Sequence, residues 1–579
     1  GHAHLANNST YTLHYGAKHE GQINGRDTSK LIVNASEVAG NIDLANNANA
    51  TFINSTYKYT ITGVQNSNLT LNNSTWEMPK STQIGNFIGS NSIVKLQTAT
   101  ANPATPATQS STKSAATSAT SATAPASPAK PSSAAASNPS APSRSDLATT
   151  PSANTPNDTP KSQASPKVVN AFNNLDILGD LKGQGQFNYA INSIRGDHVD
   201  VRGVARGSWS LGVKHQGQEP EDKKHTISLF TLHNKAQINQ EVNVYIKDKY
   251  VDMGAYRYEL LRRMLSTKDA AALDYYLCQV GQCRVINNQS EMTSTYTNAA
   301  LSDVAANVDL LDFLDKNLTD KIAKNIDFKN DIIYGFNHDR VESNEQIRSY
   351  TQNINLVSYA RDMKLKDDWS IGGFGSYVNG STTFDNAKGS QNGILGSMYL
   401  KYTLNPNIAF NIHGIYGQLK SKITSTRGDE SSALIPRTTY GTGAGFNSNV
   451  KMLDLTWGLN SNIGYYNIQE SIYNLSGVNF KIPQMNLAIA STEAYISQTY
   501  EFATPLGNLN LSPSIRVGAQ ISYYQTKLSA NNYNFDIGGR QKVDAGFGLL
   551  AEIQRVKTQL SYTRSPNSQT LKANVNYSF

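Results

Sequence analysis

The chain has 579 residues, with 51 Lys and Arg against 44 Asp and Glu and a formal net charge of +7. That small, dispersed excess holds no basic cluster interleaved with aromatics, which argues against a nucleic-acid partner. Only 16% of residues are charged, Asn, Ser, Thr and Gly are abundant, and there are 30 tyrosines, a composition of surface β-structure rather than of a cytosolic helical enzyme.

No apolar run reaches the roughly 18 residues of a spanning helix. A barrel strand needs only about 10 residues of alternation, so a membrane protein stays open. The opening GHAHL lacks the basic and apolar regions of a signal peptide. The expectation is a part of a longer precursor.

Residues 1–96 carry short apolar triplets divided by Asn, Gly, Ser and Thr: Leu31-Ile32-Val33, Ile42-Asp43-Leu44, Thr51-Phe52-Ile53, Tyr59-Thr60-Ile61 and Leu69-Thr70-Leu71. Regular short strands with polar turns predict a solenoid, a parallel β-helix with stacked Asn and Thr ladders. A plain β-sandwich is the alternative. Asn8, Asn34, Asn49, Asn54, Asn68 and Asn73 each open an Asn-x-Ser/Thr triplet. Such triplets arise from composition in an Asn/Thr-rich coil, so glycosylation is not expected. His2, His4, His14 and His19 have no second cluster that would complete a metal site, and no metal or cofactor is expected.

Residues 97–166 are almost wholly Ala, Ser, Thr and Pro, too poor in large apolar side chains to bury a core, and predict a disordered linker. Residues 167–292 return to strand-like runs, among them Trp209-Ser210-Leu211-Gly212-Val213 and Val242-Asn243-Val244-Tyr245-Ile246. Cys278 and Cys283 follow; joined, they would close only a small loop, and two free thiols are the alternative.

Residues 293–329 hold the one strong helix. Leu301, Val304, Val308, Leu311, Leu314 and Leu318 recur at three- and four-residue steps. Asp303, Asp309, Asp312, Asp315, Lys316 and Lys321 fill much of the remainder, too many charges to lie in lipid. The expected length, about 40 Å, suits the lumen of a bilayer-spanning barrel.

From residue 330 to 579 twelve strand candidates follow: 331–341, 347–363, 368–384, 389–405, 406–424, 438–450, 453–470, 484–503, 507–527, 538–554, 555–565 and 568–579. Several alternate cleanly. Leu509, Leu511, Ile515, Val517, Ala519, Ile521 and Tyr523 interleave with polar residues, as do Leu453, Leu455, Trp457, Leu459, Ile463 and Tyr465. Apolar-out, polar-in strands of this length predict a closed membrane barrel with both ends on one rim. Short turns are expected at Asn405–Asn407, Pro505–Gly507 and Ser565–Asn567, and a long outer loop at Thr426–Arg437. The last strand carries Val575, Tyr577 and Phe579 on its apolar face and is expected to pair with the first.

Three features together resemble the monomeric autotransporters, the type Va secretion proteins of Gram-negative bacteria. They are Gly254-Ala255-Tyr256-Arg257-Tyr258-Glu259-Leu260, the helix ahead of the barrel, and the terminal Phe579. The Gly- and Asn-rich passenger looks most like that of the immunoglobulin A protease and Hap-like subgroup. The resemblance implies an all-β fold with one helix: a right-handed parallel β-helix passenger stem over 1–96, the linker, a β-rich autochaperone segment over 167–292, and a 12-stranded transmembrane barrel with an internal helix. It further implies that Gly254–Leu260 ends the autochaperone, that Phe579, Tyr577 and Val575 form the barrel-assembly signal, and that the passenger crosses the lumen to the cell surface. Outer-membrane lipid, the barrel-assembly machinery, periplasmic chaperones and a host surface or extracellular protein ligand are the implied partners. The Gly-Asp-Ser-Gly motif of the subgroup's proteases is missing, and His198, His215 and His225 sit in ordinary strand or turn contexts, so no catalytic site is expected in this chain. Asn307 and Asn317 stand singly, unlike the paired asparagines at which some relatives cleave themselves, so that reaction is not expected. Asp309, Asp312, Lys316 and Arg516 are the expected lumen contacts.

Overall fold

A computed structural model of the chain describes residues 1–96, 172–215, 219–233, 242–266, 271–286, 288–323, 330–427 and 431–579. The linker expected over 97–166 lies outside them, as does the expected helix end beyond 323.

Residues that alternate inward and outward over three to five positions, then meet Asn or Gly, form short strands and turn at once. Here they stack in parallel. One column is Ala3–Leu5, Ile23–Gly25, Ile42–Leu44 and Ile61–Gly63. A second runs Thr10–His14, Lys30–Asn34, Asn49–Ile53, Asn68–Asn72 and Asn86–Lys95, then continues with Leu181–Ile191, Gly207–His215 and Val242–Ile246. A third joins Thr82–Ile84, Asn174–Ile177, His198–Val201 and Ile227–Leu232. Together they make a solenoid of about 7 turns. Lys30 stands opposite Asn49 and Asn49 opposite Asn68, so one coil here is 19 residues long.

Two inward positions per strand build the core. Leu31, Ala50 and Leu69 stack in one file, and Val33, Phe52 and Leu71 in the next, all buried. Burying one such large apolar side chain contributes about 1.5–3 kcal/mol. Asparagine makes the corners. Asn54 and Asn73 take left-handed backbone at φ 49° and 46°, which Asn tolerates better than most residues. Their side chains then stack, with Asn73 Nδ2 donating to Asn54 Oδ1 at 2.7 Å. Asn68 donates to Asn49 at 2.8 Å and Asn86 to Asn68 at 3.0 Å. Four of the six triplet asparagines therefore belong to side-chain ladders, Asn49 and Asn68 half-buried and Asn54 and Asn73 on the surface.

The parallel column stops at Ile227–Leu232. Its next neighbour, Ala271–Gln279, is antiparallel, followed by Tyr256–Ser266 and then Tyr250–Met253. These antiparallel strands cover the open edge that a parallel coil would leave. Phe87, Phe187, Trp209, Phe230 and Tyr275 run as one aromatic chain into this cap, with neighbouring ring centroids 5.1–6.2 Å apart.

A short helix, Gln289–Met292, and a long one, Thr295–Ala323, lead into the barrel. Its twelve strands are Asn330–Val341, Tyr350–Lys366, Trp369–Phe384, Ala387–Asn405, Ile408–Ser425, Ser432–Met452, Leu455–Ile468, Met485–Ser497, Gly507–Ala530, Tyr533–Ile553, Val556–Ser565 and Ser568–Ser578. Every neighbour is antiparallel, and the first strand pairs with the twelfth from Asp331↔Ser578 to Val341↔Ser568, which closes the sheet. Ile394, Ile412, Tyr416, Ile463, Val517 and Phe547 stand exposed on the outer face, an apolar belt matched to lipid.

The sequence places several boundaries differently. Leu453 is not a strand residue: with Asp454 it forms a tight turn at positive φ. The expected strand 438–450 begins at Ser432, so half of the supposed long loop is ladder. Strand 484–503 breaks after Ser497 and resumes as Tyr500–Thr504. The connection after Ile468 holds an extra hairpin, Ser471–Leu475 with Val478–Ile482, that periodicity alone does not separate from its neighbours. Ser565–Asn567 lies on the opposite rim from Asn405–Asn407 and Pro505–Gly507, since strands alternate in direction and Glu342 N donates to Asn567 O at 2.9 Å.

Phe52→Ala leaves a hole between Val33 and Leu71. It is expected to cost the solenoid about 3–5 kcal/mol, read as a lower urea midpoint of solenoid unfolding with the barrel's heat-modifiable mobility unchanged.

Candidate functional site

The long helix has 29 residues, roughly 44 Å at 1.5 Å per residue. Its apolar positions Leu301, Val304, Val308, Leu311, Leu314 and Leu318 are all buried. So are Asp303 and Asp315, each 1% exposed. Wall surrounds the helix on all sides, and each buried charge must meet a counter-charge.

The pairings run down its length. Asp303 faces Arg437 Nη1 of the sixth strand at 3.0 Å. Asp309 pairs with Arg540 Nη2 of the tenth strand at 2.5 Å and accepts from Tyr350. Asp312 and Lys316 pair with each other at 3.0 Å, one helical turn apart, and Lys316 Nζ donates to Gln520 Oε1 at 2.9 Å. Asp315 faces His413 Nε2 of the fifth strand at 2.8 Å and accepts from Asn462 and Tyr466. Lys321 near the foot grips Asp331 of the first strand and Asp362 of the second. Ser578 of the twelfth strand also donates to Asp331, so helix and seam share one carboxylate.

Of the four expected lumen contacts, Asp309, Asp312 and Lys316 join this set. Arg516 pairs along the wall with Glu493 at 2.9 Å and lines a lumen cavity shared with Lys316, Thr319 and Asp320 of the helix. Sequence reading missed the wall partners Arg437, Arg540, His413 and Asp362. Each stands on the inward parity of its strand, and a charged residue there was the available signal. Beside the helix, a cavity of about 230 Å³ remains between Asp312, Lys316, Asp339, Arg540, Lys542 and Lys572. The Nδ2 atoms of Asn307 and Asn317 donate to the carbonyls four residues back, Asp303 O at 2.6 Å and Phe313 O at 2.7 Å.

Gly254–Leu260 forms the turn and first half of the cap strand, seated on the outer rim. Gly254 has φ +57°, and a Cβ there would lie 1.7 Å from Glu219 Oε2, so only glycine fits. Ala255 O accepts from Ser294 N at 3.0 Å, just ahead of the long helix. Tyr256 packs on Tyr533 and Phe535 of the tenth strand, with centroids 5.0 and 5.2 Å apart. Burial, then the neighbouring Tyr533, pushes its phenol up to about 12. Arg257 Nη2 meets Asp385 Oδ2, in the turn between the third and fourth strands, at 2.9 Å. Tyr258 is buried, and Leu260 half-buried. Glu259 faces Arg284 Nη2 at 3.4 Å. Glu219 accepts from Asn531 Nδ2 at 2.6 Å, and burial raises its carboxyl above the ordinary range.

Cys278 and Cys283 are bonded, which sets Gly281 against the Met292 thioether of the short helix. Val575, Tyr577 and Phe579 project outward, Phe579 half exposed and stacked on Tyr577 at 6.0 Å. The singled-out histidines do not gather. His198 lies in the third solenoid column, its imidazole pKa lowered by burial, while His225 Nε2 meets Ile194 O at 2.7 Å and His4 meets Asn24.

Comparison with known proteins agrees with this geometry. Residues 332–563 match the family model of the autotransporter β-domain, and residues 158–268 that of pertactin. The chain is 23% identical over 294 residues to the IgA-specific serine endopeptidase autotransporter of Neisseria gonorrhoeae, covering 49% of this chain and 18% of that protein. It is 26% identical over 211 residues to the adhesion and penetration protein autotransporter of Haemophilus influenzae, covering 36% of this chain and 12% of that one. It thus spans less than a fifth of the length of these relatives. Among solved structures, the translocator domain of autotransporter NalP from Neisseria meningitidis is 14% identical, with 48% of this chain and 98% of that one covered and a TM-score of 0.39. At that score the likeness carries no weight, and the barrel stands on its own strand pairings.

Two outcomes follow from the pairings. Arg437→Met strands the Asp303 carboxylate in the lumen and is expected to destabilise the barrel by about 3–5 kcal/mol, read as a lower temperature of the heat-modifiable gel shift. The raised carboxyl of Glu219 gives the rim contact a stabilisation that is full below the ordinary carboxylate value and lost as pH rises through the raised one. Glu219→Gln should abolish this pH dependence, read as trypsin susceptibility of the cap from acid to neutral pH.

Proposed function

We propose that this chain, whose residues 332–563 are an autotransporter β-domain, exports and displays its own N-terminal passenger. The barrel belongs to the outer membrane of a Gram-negative cell, with the passenger at the surface. One observation supports the reading above the others: a single helix threads a closed barrel and connects directly to a folded solenoid on the outer rim.

The chemistry is transport without nucleotide. The barrel offers a lumen lined by alternating charges and amides, wet enough to pass an extended chain whose backbone groups need partners. Outside, residues 167–292 act as the autochaperone: Gly254–Leu260 folds first against Tyr250–Met253 and Ala271–Gln279, and coils then add one by one, each buried by the one before. Folding on the far side supplies the direction. The helix stays behind as the plug. In this reading residues 1–96 are the C-terminal part of the passenger, and residues 97–166 join it to the autochaperone segment.

Val575, Tyr577 and Phe579 would be read by the barrel-assembly machinery, after periplasmic chaperones have kept the strands apart. The passenger of the longer precursor would be a serine protease or an adhesin. The N. gonorrhoeae and H. influenzae relatives carry names of those two kinds. A host surface or extracellular protein would be its ligand.

Expression in a Gram-negative host tests this. An antibody to residues 1–96 should label intact cells. Labelling only after permeabilisation would overturn the reading. Removing Phe579 should lower the amount of heat-modifiable barrel in outer membranes. Deleting residues 299–323 should raise planar-bilayer conductance severalfold if the helix is the plug, whereas unchanged conductance would favour a solute porin.

A further inference from the structure

The cap carries a carboxylate that the export reading leaves without a role. Asp252 lies in the short strand Tyr250–Met253, directly opposite Arg257 in the antiparallel register. Its side chain is only 4% exposed. Oδ1 accepts the backbone N–H of Thr295, the first residue of the long helix, at 3.1 Å, and faces Arg257 Nε at 3.6 Å. Oδ2 meets Arg427 Nη1, on the outer connection after the fifth barrel strand, at 3.3 Å. The same arginine donates to Tyr250 O.

A second carboxylate extends the set. Asp385 Oδ2 takes Arg257 Nη2 at 2.9 Å and Arg348 Nε at 3.0 Å. Arg348, on the connection between the first and second strands, turns its guanidinium onto the residues that precede the helix. It donates to Ser290 O at 3.2 Å, Thr293 O at 3.1 Å and Ser294 O at 3.0 Å. Three arginines and two aspartates therefore tie three parts of the chain together: the cap, the barrel rim and the start of the helix. Of their contacts, Arg257 Nη2 to Asp385 and Arg427 Nη1 to Asp252 are hydrogen bonds between ionised partners, the stronger kind, and a carboxylate suits the positive end of a helix.

We propose that this network is an end-stop that fixes how far the helix travels out of the barrel. It rests on the export reading. Apart from Arg348, which meets Asp385 and the residues before the helix without the cap, the network needs all three parts in place. Asp252 faces Arg257 only once the cap hairpin has folded, and Arg427 and Arg348 reach their partners only on a closed barrel. The N–H of Thr295 meets Asp252 only with the helix at its observed depth. An outward-moving chain therefore meets no capping carboxylate until the autochaperone has folded on the rim. At that point the helix start is caught, and the lower pairings, Asp309–Arg540 and Lys321–Asp331 among them, come into register. Folding outside and plugging inside become one event.

The test uses the full chain assembled in outer membranes, with Arg427→Ala and Asp385→Asn on the barrel rim and Asp252→Asn on the cap. Surface labelling of residues 1–96 on intact cells, conductance of the purified protein in planar bilayers and trypsin cleavage at the rim are measured together. The two rim variants should keep parental surface labelling and heat-modifiable mobility, yet show severalfold higher conductance and faster cleavage near Arg257. Asp252→Asn should share both changes, and Asp252→Asn with Arg427→Ala should be no worse than the stronger single variant, as members of one network. Conductance and cleavage at parental levels in both rim variants would overturn the end-stop. Loss of surface labelling in the parent would instead sink the export reading. If Asp252→Asn fails to assemble, the rim variants decide alone.

Discussion

The ladder between Asn330–Val341 and Ser568–Ser578 is the constraint on which the molecule depends. In lipid no water is available for an unpaired backbone N–H or C=O, so a sheet must have no edge. Closure at the chain's last strand meets that requirement, and it also fixes the lumen. Twelve strands enclose room for one helix and a narrow wet gap beside it. The helix then has no lipid face and no bulk-solvent face. The ionised groups it carries are matched either by the wall, as Asp303, Asp309 and Asp315 are by Arg437, Arg540 and His413, or by each other, as Asp312 and Lys316 are.

The inward face changes along its height. Towards the foot it is charged, with Asp331, Asp362 and Lys401 buried around Lys321. Towards the outer rim it turns apolar, with Phe384, Ile423, Ile435, Leu487, Leu528 and Ile537 nearly or fully buried. A tilted strand needs about 9–11 residues to cross the membrane, and the ninth has 24. The surplus is a collar, and the ring of Tyr256 rests on its edge. The polar floor holds the helix by ion pairs, while the cap meets the rim both through Tyr256 on Tyr533 and Phe535 and through the pairs Arg257–Asp385 and Asp252–Arg427.

Much of this was legible in the sequence because the physics is local. Period-two alternation marks strands whose faces meet lipid and lumen, and it gave twelve of them with the closing pair. Three- and four-residue spacing marks the helix. The rest depends on what lies across space. That Leu453 turns rather than extends depends on a left-handed pair of residues, which an apolar letter conceals. Arg516 looks on paper like any inward cation, and only the strand register shows that Glu493 stands beside it on the wall. Arg437 and Arg348 were invisible as partners because their counterparts lie on other elements, with no spacing rule connecting them. The solenoid triplets were visible, but their half-coil spacing hid the true repeat. Only the strand register shows that a coil spans 20 residues from Thr10 to Lys30, 19 from Lys30 to Asn49 and from Asn49 to Asn68, and 18 from Asn68 to Asn86.

That coil length has a consequence for the height of the solenoid. Parallel strands stack about 4.8 Å apart, so every inserted or deleted coil changes the solenoid's height by one such step and by nothing smaller. Seven coils amount to a rod of roughly 34 Å at that spacing. Insertions that are not whole coils must bulge sideways at the asparagine corners, because the ladders hold the register. The stem is thus a ruler graduated in single strands. Lengthening it by whole coils raises whatever it carries without disturbing the barrel below.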